Sequence, residues 1–383
     1  MSFITHFESL EDKRSHINKK HDLLDVIFLT VVAILSGAEG WKDIKQFGDS
    51  KLDWLRKFRA FKEGVPVDDT IARIISSLEP NALLTCFISW VNEIREDQGQ
   101  PVIAFDGKTL RHSFDGDRKT ALHSVSAYAV EQGLVLAQCK SKGKKNEVST
   151  VLELIELLEL KGSIVTADAM HCLKKVAKAI NAKGGDYVLQ VKNNQGKLAT
   201  EIAAYFHKTR RDTPQDIKTN SLTLTNDGHG RIEERTYVQL PITPWLTQSQ
   251  GWTNIKSVIE VTRKRYLKDK ETSETAYYIS SLEVNLPQIA KAIRSHWSIE
   301  NASHWVLDMT YREDDSRIRR GDAPENMATF RRFAMNLARL SPIKDSMKGK
   351  LKQAAWSDEV RENSCLLKFH SSMILPCING QLF

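Results

Sequence analysis

The chain has 383 residues, of which 41% are apolar and 27% are charged, and it carries a formal net charge of +7. This composition predicts a soluble globular protein of roughly two or three structural units, and the basic balance favours a polyanionic partner. The longest apolar run, Val26 to Leu35, is too short for a membrane-spanning helix, and the five cysteines lack the spacing of a disulfide framework or a structural zinc site.

Residues 1–97 are predicted to form an N-terminal helical domain. Apolar residues at helical spacing predict helices at His21–Leu35, Trp41–Phe47, Leu52–Phe58, Ile71–Leu78 and Asn81–Ile94. Asp69 or Thr70 would cap the fourth of these helices. This region shows no catalytic cluster. It is either a helical bundle that packs on the C-terminal part of the chain or a domain that contacts DNA through its Lys and Arg side chains.

The pattern changes at residue 98, and residues 98–345 are predicted to form an α/β domain. Three short strands joined by tight turns favour an antiparallel meander, and the helix–strand–helix–strand order after them favours parallel strands with right-handed crossovers. The predicted elements are strands Val102–Lys108, His123–Val130 and Leu134–Lys140, helix Glu147–Leu160, strand Gly162–Ala169, helix His171–Ala182 and strand Asp186–Lys192.

A β-rich insertion is predicted at about residues 218–285, and helices come after it. Its strands are Leu222–Thr225, Arg231–Gln239, Ile255–Arg265 and Ala276–Ser281. A long helix should then begin near Pro287 and run past Asp308, and a last amphipathic helix should span about Pro324–Leu340. Residues 346–383 form a C-terminal tail with weak signals.

Two acids stand at predicted strand ends. Asp106 closes the first strand of the α/β domain, and Asp168 closes the fourth. In open α/β sheets, sites lie at the carboxyl ends of strands, so both carboxylates would project at one edge if the two strands are neighbours. Each acid also has a structural interpretation: Asp106 as a turn residue before a glycine, and Asp168 as a cap of the next helix.

The long helix after the insertion carries polar and aromatic side chains on one side. At 100° per residue, that side holds His296, Trp297, Glu300, His304 and Asp308. Three converging carboxylates would repel one another unless a divalent cation binds them, and oxygen ligands favour Mg²⁺ (or Mn²⁺). Zinc bound by the two histidines and Glu300 is a weaker alternative, and Asp308 is a rival to Glu300 as the third acid.

The sequence resembles a known family at these same residues. Phe105–Lys108, Thr166–His171 and His296–Asn301, with His304-Trp305, are similar to the signatures of insertion-sequence transposases of the DDE type, in the branch associated with H-repeats and Rhs elements. The resemblance runs over nearly the whole chain. It implies an RNase H-like core, a mixed five-stranded sheet with flanking helices, that carries the β-rich insertion. It also implies that Asp106, Asp168 and Glu300 are the catalytic and metal-binding triad.

The region around Glu300 departs from the wider family. Many transposases with a β-rich insertion place a Tyr, an Arg and a Lys around the last Glu, and here Ile293, His296 and Leu307 stand at those positions. Phosphate contacts by that Tyr, Arg and Lys therefore do not carry over. His296 is a shorter and only partly protonated substitute for the Arg.

Basic segments flank the predicted acidic site, as a track for the DNA backbone requires, although such segments are often only solvated faces. The predicted DNA contacts are Lys108, Arg111, Lys142, Lys144, Arg231, Arg263, His296, His304, Arg319 and Arg320. Trp297 and Trp305 are either core residues or side chains that stack on an unpaired base.

These residues predict a DNA transposase that cleaves strands at the ends of its element and joins the freed 3′-OH to target DNA. The alternatives are a transposase-derived DNA-binding protein that has lost catalysis, and an RNase H-like structure-specific nuclease. The expected partners are double-stranded DNA, as terminal repeats and target, and a second copy of the chain on that DNA. The expected location is the bacterial cytoplasm, at the nucleoid.

Overall fold

A computed structural model describes residues 3–15, 19–95, 99–113, 121–141, 146–228, 231–267 and 270–365. Its N-terminal part is helical, as predicted, with helices α1 Leu23–Leu35, α2 Trp41–Leu55, α3 Asp68–Ser76 and α4 Pro80–Ile94. Nearly every residue of α1 is buried, because a helix that is apolar on all sides is stable only inside a core. The Asp22 side chain caps α1 by accepting from the Asp25 N–H, and Pro80 opens α4 where no N–H is needed.

Two predictions for these helices are wrong in detail. Residues 41–55 form one helix with non-helical backbone at Lys51, where two separate helices were expected. Helix α3 begins at Asp68, and Val67 is its N-cap residue. Asp69 and Thr70 therefore lie in the first turn, where acidic and polar residues face the positive end of the helix dipole.

The strands of the described residues form one mixed sheet in the order β3-β2-β1-β4-β5-β9-β8-β7-β6. They are β1 Val102–Thr109, β2 His123–Ala129, β3 Leu134–Ser141, β4 Ile164–Ala167, β5 Asp186–Val191, β6 Ser221–Gly228, β7 Arg231–Pro241, β8 Ser257–Leu267 and β9 Lys270–Ser280. The first three pair antiparallel, and β1, β4 and β5 pair in parallel. This order confirms the predicted five-stranded RNase H-like core and makes β1 and β4 neighbours.

The β-rich insertion is confirmed, and it continues the core sheet instead of forming a separate layer. Strand β9 runs antiparallel to β5, with Val188 opposite Ser280 and Val191 opposite Tyr277. Strands β8, β7 and β6 then extend outward as antiparallel neighbours. The insertion is therefore hydrogen-bonded to the core along a strand next to β4.

Helices cover the core of the sheet, and for this reason every residue of β2 is buried. The helices that follow the first strands are α5 Glu147–Leu157, α6 Lys174–Ala182, α7 Gly196–Asp212, α8 Pro214–Thr219, α9 Leu286–His296, α10 Trp305–Met309, α11 Ala323–Leu340, α12 Met347–Trp356 and α13 Asp358–Cys365, and some of them pack on the sheet. Helix α5 packs on β2 and β3, α4 and α11 pack on β3, and α9 packs on β1 and β4.

The long helix predicted after the insertion is broken into three pieces. Helix α9 ends at His296, residues Ile299–His304 form a π-helical turn, and α10 begins at Trp305. The Trp305 N–H donates to the Glu300 carbonyl, five residues back, as in a π-helix. The predicted polar side of the helix assumed a rotation of 100° per residue, and the wider π-helical turn changes that rotation between residues 299 and 304.

Helix α11 joins the N-terminal helices to the sheet. The Asn326 amide donates to the carbonyls of Ile75 and Leu78, at 2.9 and 3.0 Å, and the Asn336 amide exchanges two hydrogen bonds with the backbone of Val135. One hydrophobic core contains residues from both regions.

The sequence after Pro342 has weak signals and is assigned only as a C-terminal tail, and the structure shows that α12 and α13 within it are helical and dock on this core. Leu351 and Ala354 are buried, and the guanidinium of Arg361 lies 4.2 Å from the ring centre of Trp54. Residues 366–383 lie outside the described residues.

Within the part of the chain that the structure describes, no single helix is long and apolar enough to cross a membrane. Helices α3 and α4 reach that length and composition together, at a bend of 87°. Their apolar side chains, including Ile71, Ile75, Leu83 and Phe87, are buried in the core.

Candidate active site

Asp106 and Asp168 lie side by side at one edge of the parallel β1–β4 ladder. The last pair of that ladder is Phe105 with Ala167, and each acid is the next residue along its strand. Strand β1 itself continues to Thr109 through its pairing with β2, so Asp106 does not end the strand as predicted. Both carboxylates nevertheless occur where the parallel pairing stops, so they lie at the same edge of the β1–β4 ladder.

The π-helical turn packs against β1 and brings Glu300 and His304 to Asp106. His304 Nδ1 lies 3.3 Å from Asp106 Oδ2 and 3.7 Å from Glu300 Oε2. One ligand atom from each of these three side chains lies within 4.8 Å of the other two, a spacing that a single metal ion can bridge. His304 is buried, whereas Glu300 is exposed.

Asp168 has a different imidazole as its neighbour. His296 Nε2 lies 3.5 Å from Asp168 Oδ1, and His296 Nδ1 lies 3.1 Å from the Thr166 hydroxyl. Asp168 is not within the close group formed by Asp106, Glu300 and His304. The site thus consists of two adjacent halves, each with a histidine against a carboxylate.

The two histidines offset the repulsion among the three acids. Burial raises the pKa of Asp106, the charge of His304 opposes this effect, and the charge of Asp168 adds to it. The neighbouring His296 lowers the pKa of Asp168, and the neighbouring His304 lowers the pKa of Glu300. The carboxylate that is hardest to ionise is therefore that of Asp106, which is half-buried, whereas Asp168 and Glu300 are exposed.

Asp308, the rival third acid, is engaged elsewhere. Lys108 Nζ lies 2.5 Å from Asp308 Oδ1 and 3.3 Å from Asp314 Oδ1. The Lys108 side chain is only 7% exposed. It acts as an internal counterion that ties β1 to α10, and this burial does not favour the phosphate contact predicted for it.

The other predicted DNA contacts are distributed around the site. Arg111 is exposed and lies 3.2 Å from Asp314, and Arg319 donates to the carbonyl of His112. Arg319 and the exposed Arg320 line an open groove between the 312–323 segment and helices α2 and α3. Lys142 and Lys144 lie outside the described residues, and for Arg231 the structure describes the backbone of β7 only.

A pocket of about 290 Å³ lies beside Asp168, between β5, β8, β9 and α9. Arg263 lines it, pairs with Glu233 and Glu274 at 3.6 Å, and has its guanidinium 5.9 Å from the ring centre of Trp297. Trp297 and Trp305 are 49% and 60% exposed, so the interpretation of both as core residues is wrong.

Sequence reasoning missed a buried cluster beneath the site. Glu147, at the start of α5, is 2% exposed and lies against His123 and, at 3.4 Å, His171. A side chain at Gly107 would place its Cβ 3.2 Å from both Glu147 and His123, so the glycine leaves the space that the cluster occupies. In the sequence, Glu147 had only the signal of an acid in the first turn of a helix.

Comparisons with known proteins identify the family of the chain. The family described as "Transposase DDE domain" matches residues 97–337, and the one described as "DDE_Tnp_1-associated" matches residues 4–91. The chain is 40% identical over 360 residues to YncI of Escherichia coli O157:H7, covering 92% of each chain. It is 37% identical over 357 residues to the H repeat-associated protein YhhI of Escherichia coli strain K12, covering 91% of this chain and 94% of that one. Both relatives are named as transposases.

A solved piggyBac transposase synaptic complex with hairpin DNA is 11% identical, with a TM-score of 0.40 and coverage of 97% of this chain and 78% of that one. The family match covers most of the chain and contains the strand-edge acids and the π-helical turn. Both full-length relatives span nearly the whole of this sequence. The chain therefore belongs to the DDE transposase family, together with the H repeat-associated proteins.

Proposed function

We propose that this transposase cleaves a DNA strand at the ends of its element and joins the freed 3′-OH to target DNA, with Asp106, Asp168 and Glu300 as the catalytic acids. The observation that carries the proposal is the meeting of Asp106 and Glu300 at His304, with Asp168 on the adjacent strand. These acids come from three distant parts of the chain, and a bound cation would relieve the repulsion among them that the two histidines offset only in part.

The donor set suits a divalent cation. Two carboxylates and an imidazole within 4.8 Å of one another match the ligand preferences of Mn²⁺, and the carboxylates match those of Mg²⁺. A bound ion would supply Lewis-acid stabilisation of the charge that develops on the phosphoryl oxygens. Asp106 and Glu300 would hold it, and Asp168 would hold a second ion on the neighbouring strand.

The remaining side chains of the site position these acids. His296 lies between Thr166 and Asp168 and fixes the orientation of that carboxylate. The contact of Lys108 with Asp308 ties α10 to β1, next to the turn that carries Glu300. Since proximity and charge stabilisation supply most of the rate in phosphoryl transfer, such positioning matters more than covalent catalysis.

Arginines beside the 312–323 segment would neutralise the phosphates of the DNA backbone. Arg111, Arg319 and Arg320 lie on the side where the 312–323 segment meets β1 and the N-terminal helices. Transposition requires two element ends to be held together, so we propose a dimer of the chain on DNA.

The test is a nicking assay with purified protein, Mg²⁺ or Mn²⁺, and a duplex that carries the DNA flanking the gene of this chain. The wild-type protein should nick at the element end and join the 3′-OH product to a target plasmid. Asp106→Asn and Glu300→Gln should reduce nicking to background. Asp53→Asn, at a carboxylate that is fully exposed on α2, is the matched control and should be as active as wild type.

The second candidate is a transposase-derived protein that binds element ends without cleaving them. It is favoured by the burial of Ile293 and Leu307, because these apolar residues stand where the wider family places a Tyr and a Lys. Binding of end DNA without nicking in either metal would support this candidate. Nicking without joining would instead support a structure-specific nuclease.

A further inference from the structure

His304 has an unusual position for a side chain that would only contact DNA. It is 5% exposed and lies on the π-helical turn, four residues after Glu300. π-Helical turns are rare, and they occur frequently at functional sites. Here the turn directs an imidazole edge toward two carboxylates and away from solvent.

The contacts of the ring show which nitrogen serves the site. Nδ1 lies 3.3 Å from Asp106 and 3.7 Å from Glu300. Nε2 is buried and has no hydrogen-bond partner among the residues that the structure describes. All polar contacts of the His304 ring are therefore on the side of the two acids, as expected for a ring nitrogen that binds the same metal ion as they do.

His296 provides the internal comparison. Its two ring nitrogens both have protein partners, the Thr166 hydroxyl at 3.1 Å and Asp168 at 3.5 Å. It also lies outside the group of three close ligand atoms. The same residue type thus occurs twice in the site, once with both nitrogens engaged and once with Nδ1 directed into a carboxylate pair.

We propose that His304 is a direct metal ligand through Nδ1, which makes the first ion site one of two carboxylates and one imidazole. This inference rests on the proposed function, because it requires that Asp106 and Glu300 bind the ion. An imidazole ligand favours a transition metal over Mg²⁺, since affinity for nitrogen donors rises along the first-row series while Mg²⁺ prefers oxygen. The site therefore binds Mn²⁺ more tightly than Mg²⁺, and His304 causes the difference.

The first measurement uses the wild-type protein alone. Mn²⁺ is bound to protein that carries ¹⁵N-labelled histidine, and pulsed electron paramagnetic resonance reads the coupling between the ion and nearby nitrogen. Coupling to one histidine nitrogen is expected. Saturable Mn²⁺ binding without nitrogen coupling overturns the role of His304, whether or not any variant folds, and leaves the proposed function standing.

Variants then assign the coupling. His304→Gln should lose it and should weaken Mn²⁺ binding by about tenfold or more, with a smaller change for Mg²⁺. His296→Gln, the matched control, should keep the coupling. Circular dichroism and urea unfolding check that both variants are folded, and retention of the coupling in His304→Gln overturns the assignment.

Substitutions of the two acids distinguish a failure of this inference from a failure of the proposed function. Asp106→Asn and Glu300→Gln should each weaken Mn²⁺ binding in calorimetric titrations. If neither acid affects binding, or if wild type shows no saturable binding up to millimolar Mn²⁺, the proposed ion site fails, and the inference about His304 fails with it. If the acids matter and His304 does not, only the further inference is overturned.

Discussion

The buried carboxylate of Glu147 gives a prediction that can be worked out from the structure. Burial raises the pKa of this group, but the contacts with the His123 and His171 imidazoles outweigh burial and lower it from 4.5 to about 2. At roughly 1.4 kcal/mol per pKa unit, this corresponds to about 3 kcal/mol of folding stability at neutral pH. Glu147→Gln keeps the volume of the side chain and removes the charge, so it should cost about that amount.

The sign of the pH dependence is set by the lowered pKa. A carboxyl group whose pKa is lower in the folded state stabilises the protein fully above its unfolded pKa, near 4.5. This contribution is lost as the pH falls from about 4.5 toward 2. The difference in unfolding free energy between wild type and Glu147→Gln should therefore be largest near pH 7 and should shrink below pH 4.5.

Urea unfolding monitored by far-ultraviolet circular dichroism measures this difference at pH 7, 5 and 4. Glu153→Gln is the matched control, because Glu153 is an exposed acid on the same helix, and its effect should stay within about 0.5 kcal/mol. The reasoning is refuted if Glu147→Gln is as stable as wild type at pH 7. It is also refuted if the two proteins differ by the same amount at every pH.

Three further predictions concern other side chains. Arg332 and Glu313 form a fully buried ion pair, so Arg332→Met should cost about 3–5 kcal/mol in urea unfolding, and adding Glu313→Leu should recover much of this loss. Asp308→Asn should retain nicking within about tenfold of wild type, because Asp308 serves Lys108; complete loss would identify it as the third acid. Trp297→Ala should weaken binding of end DNA that has an unpaired base by about 1–3 kcal/mol in fluorescence anisotropy, whereas Trp356→Ala should not.

The parts of the fold that the sequence predicted are those with strong local patterns. The strands that carry Asp106 and Asp168 are short apolar runs bounded by turn residues, so their positions in the chain could be predicted locally. The helical N-terminal region and α11 were predicted from apolar spacing. The sequence left open whether the strands of Asp106 and Asp168 are neighbours, and the sheet order, with β1 beside β4, brings both acids to one edge.

The remaining features depend on contacts between distant residues. No local signal in the sequence marks the π-helical turn at 299–304, which packs against β1. The sequence alone therefore could not show that Trp297 and Trp305 are exposed and that His304 is buried. The burial of Lys108 depends on acids about 200 positions away in the chain. The cluster around Glu147 joins a strand, a helix and a turn, so only the tertiary structure assembles it.

The bonds of Asn326 have a consequence for the synthesis of the chain. The carbonyls of Ile75 and Leu78 accept hydrogen bonds from the Asn326 amide, which lies 251 and 248 positions later in the sequence. In a growing chain these carbonyls therefore lack this partner, and one face of α1 lacks its packing, until α11 emerges from the ribosome. The hydrophobic core that the N-terminal helices share with α11 is therefore completed only after α11 has been translated.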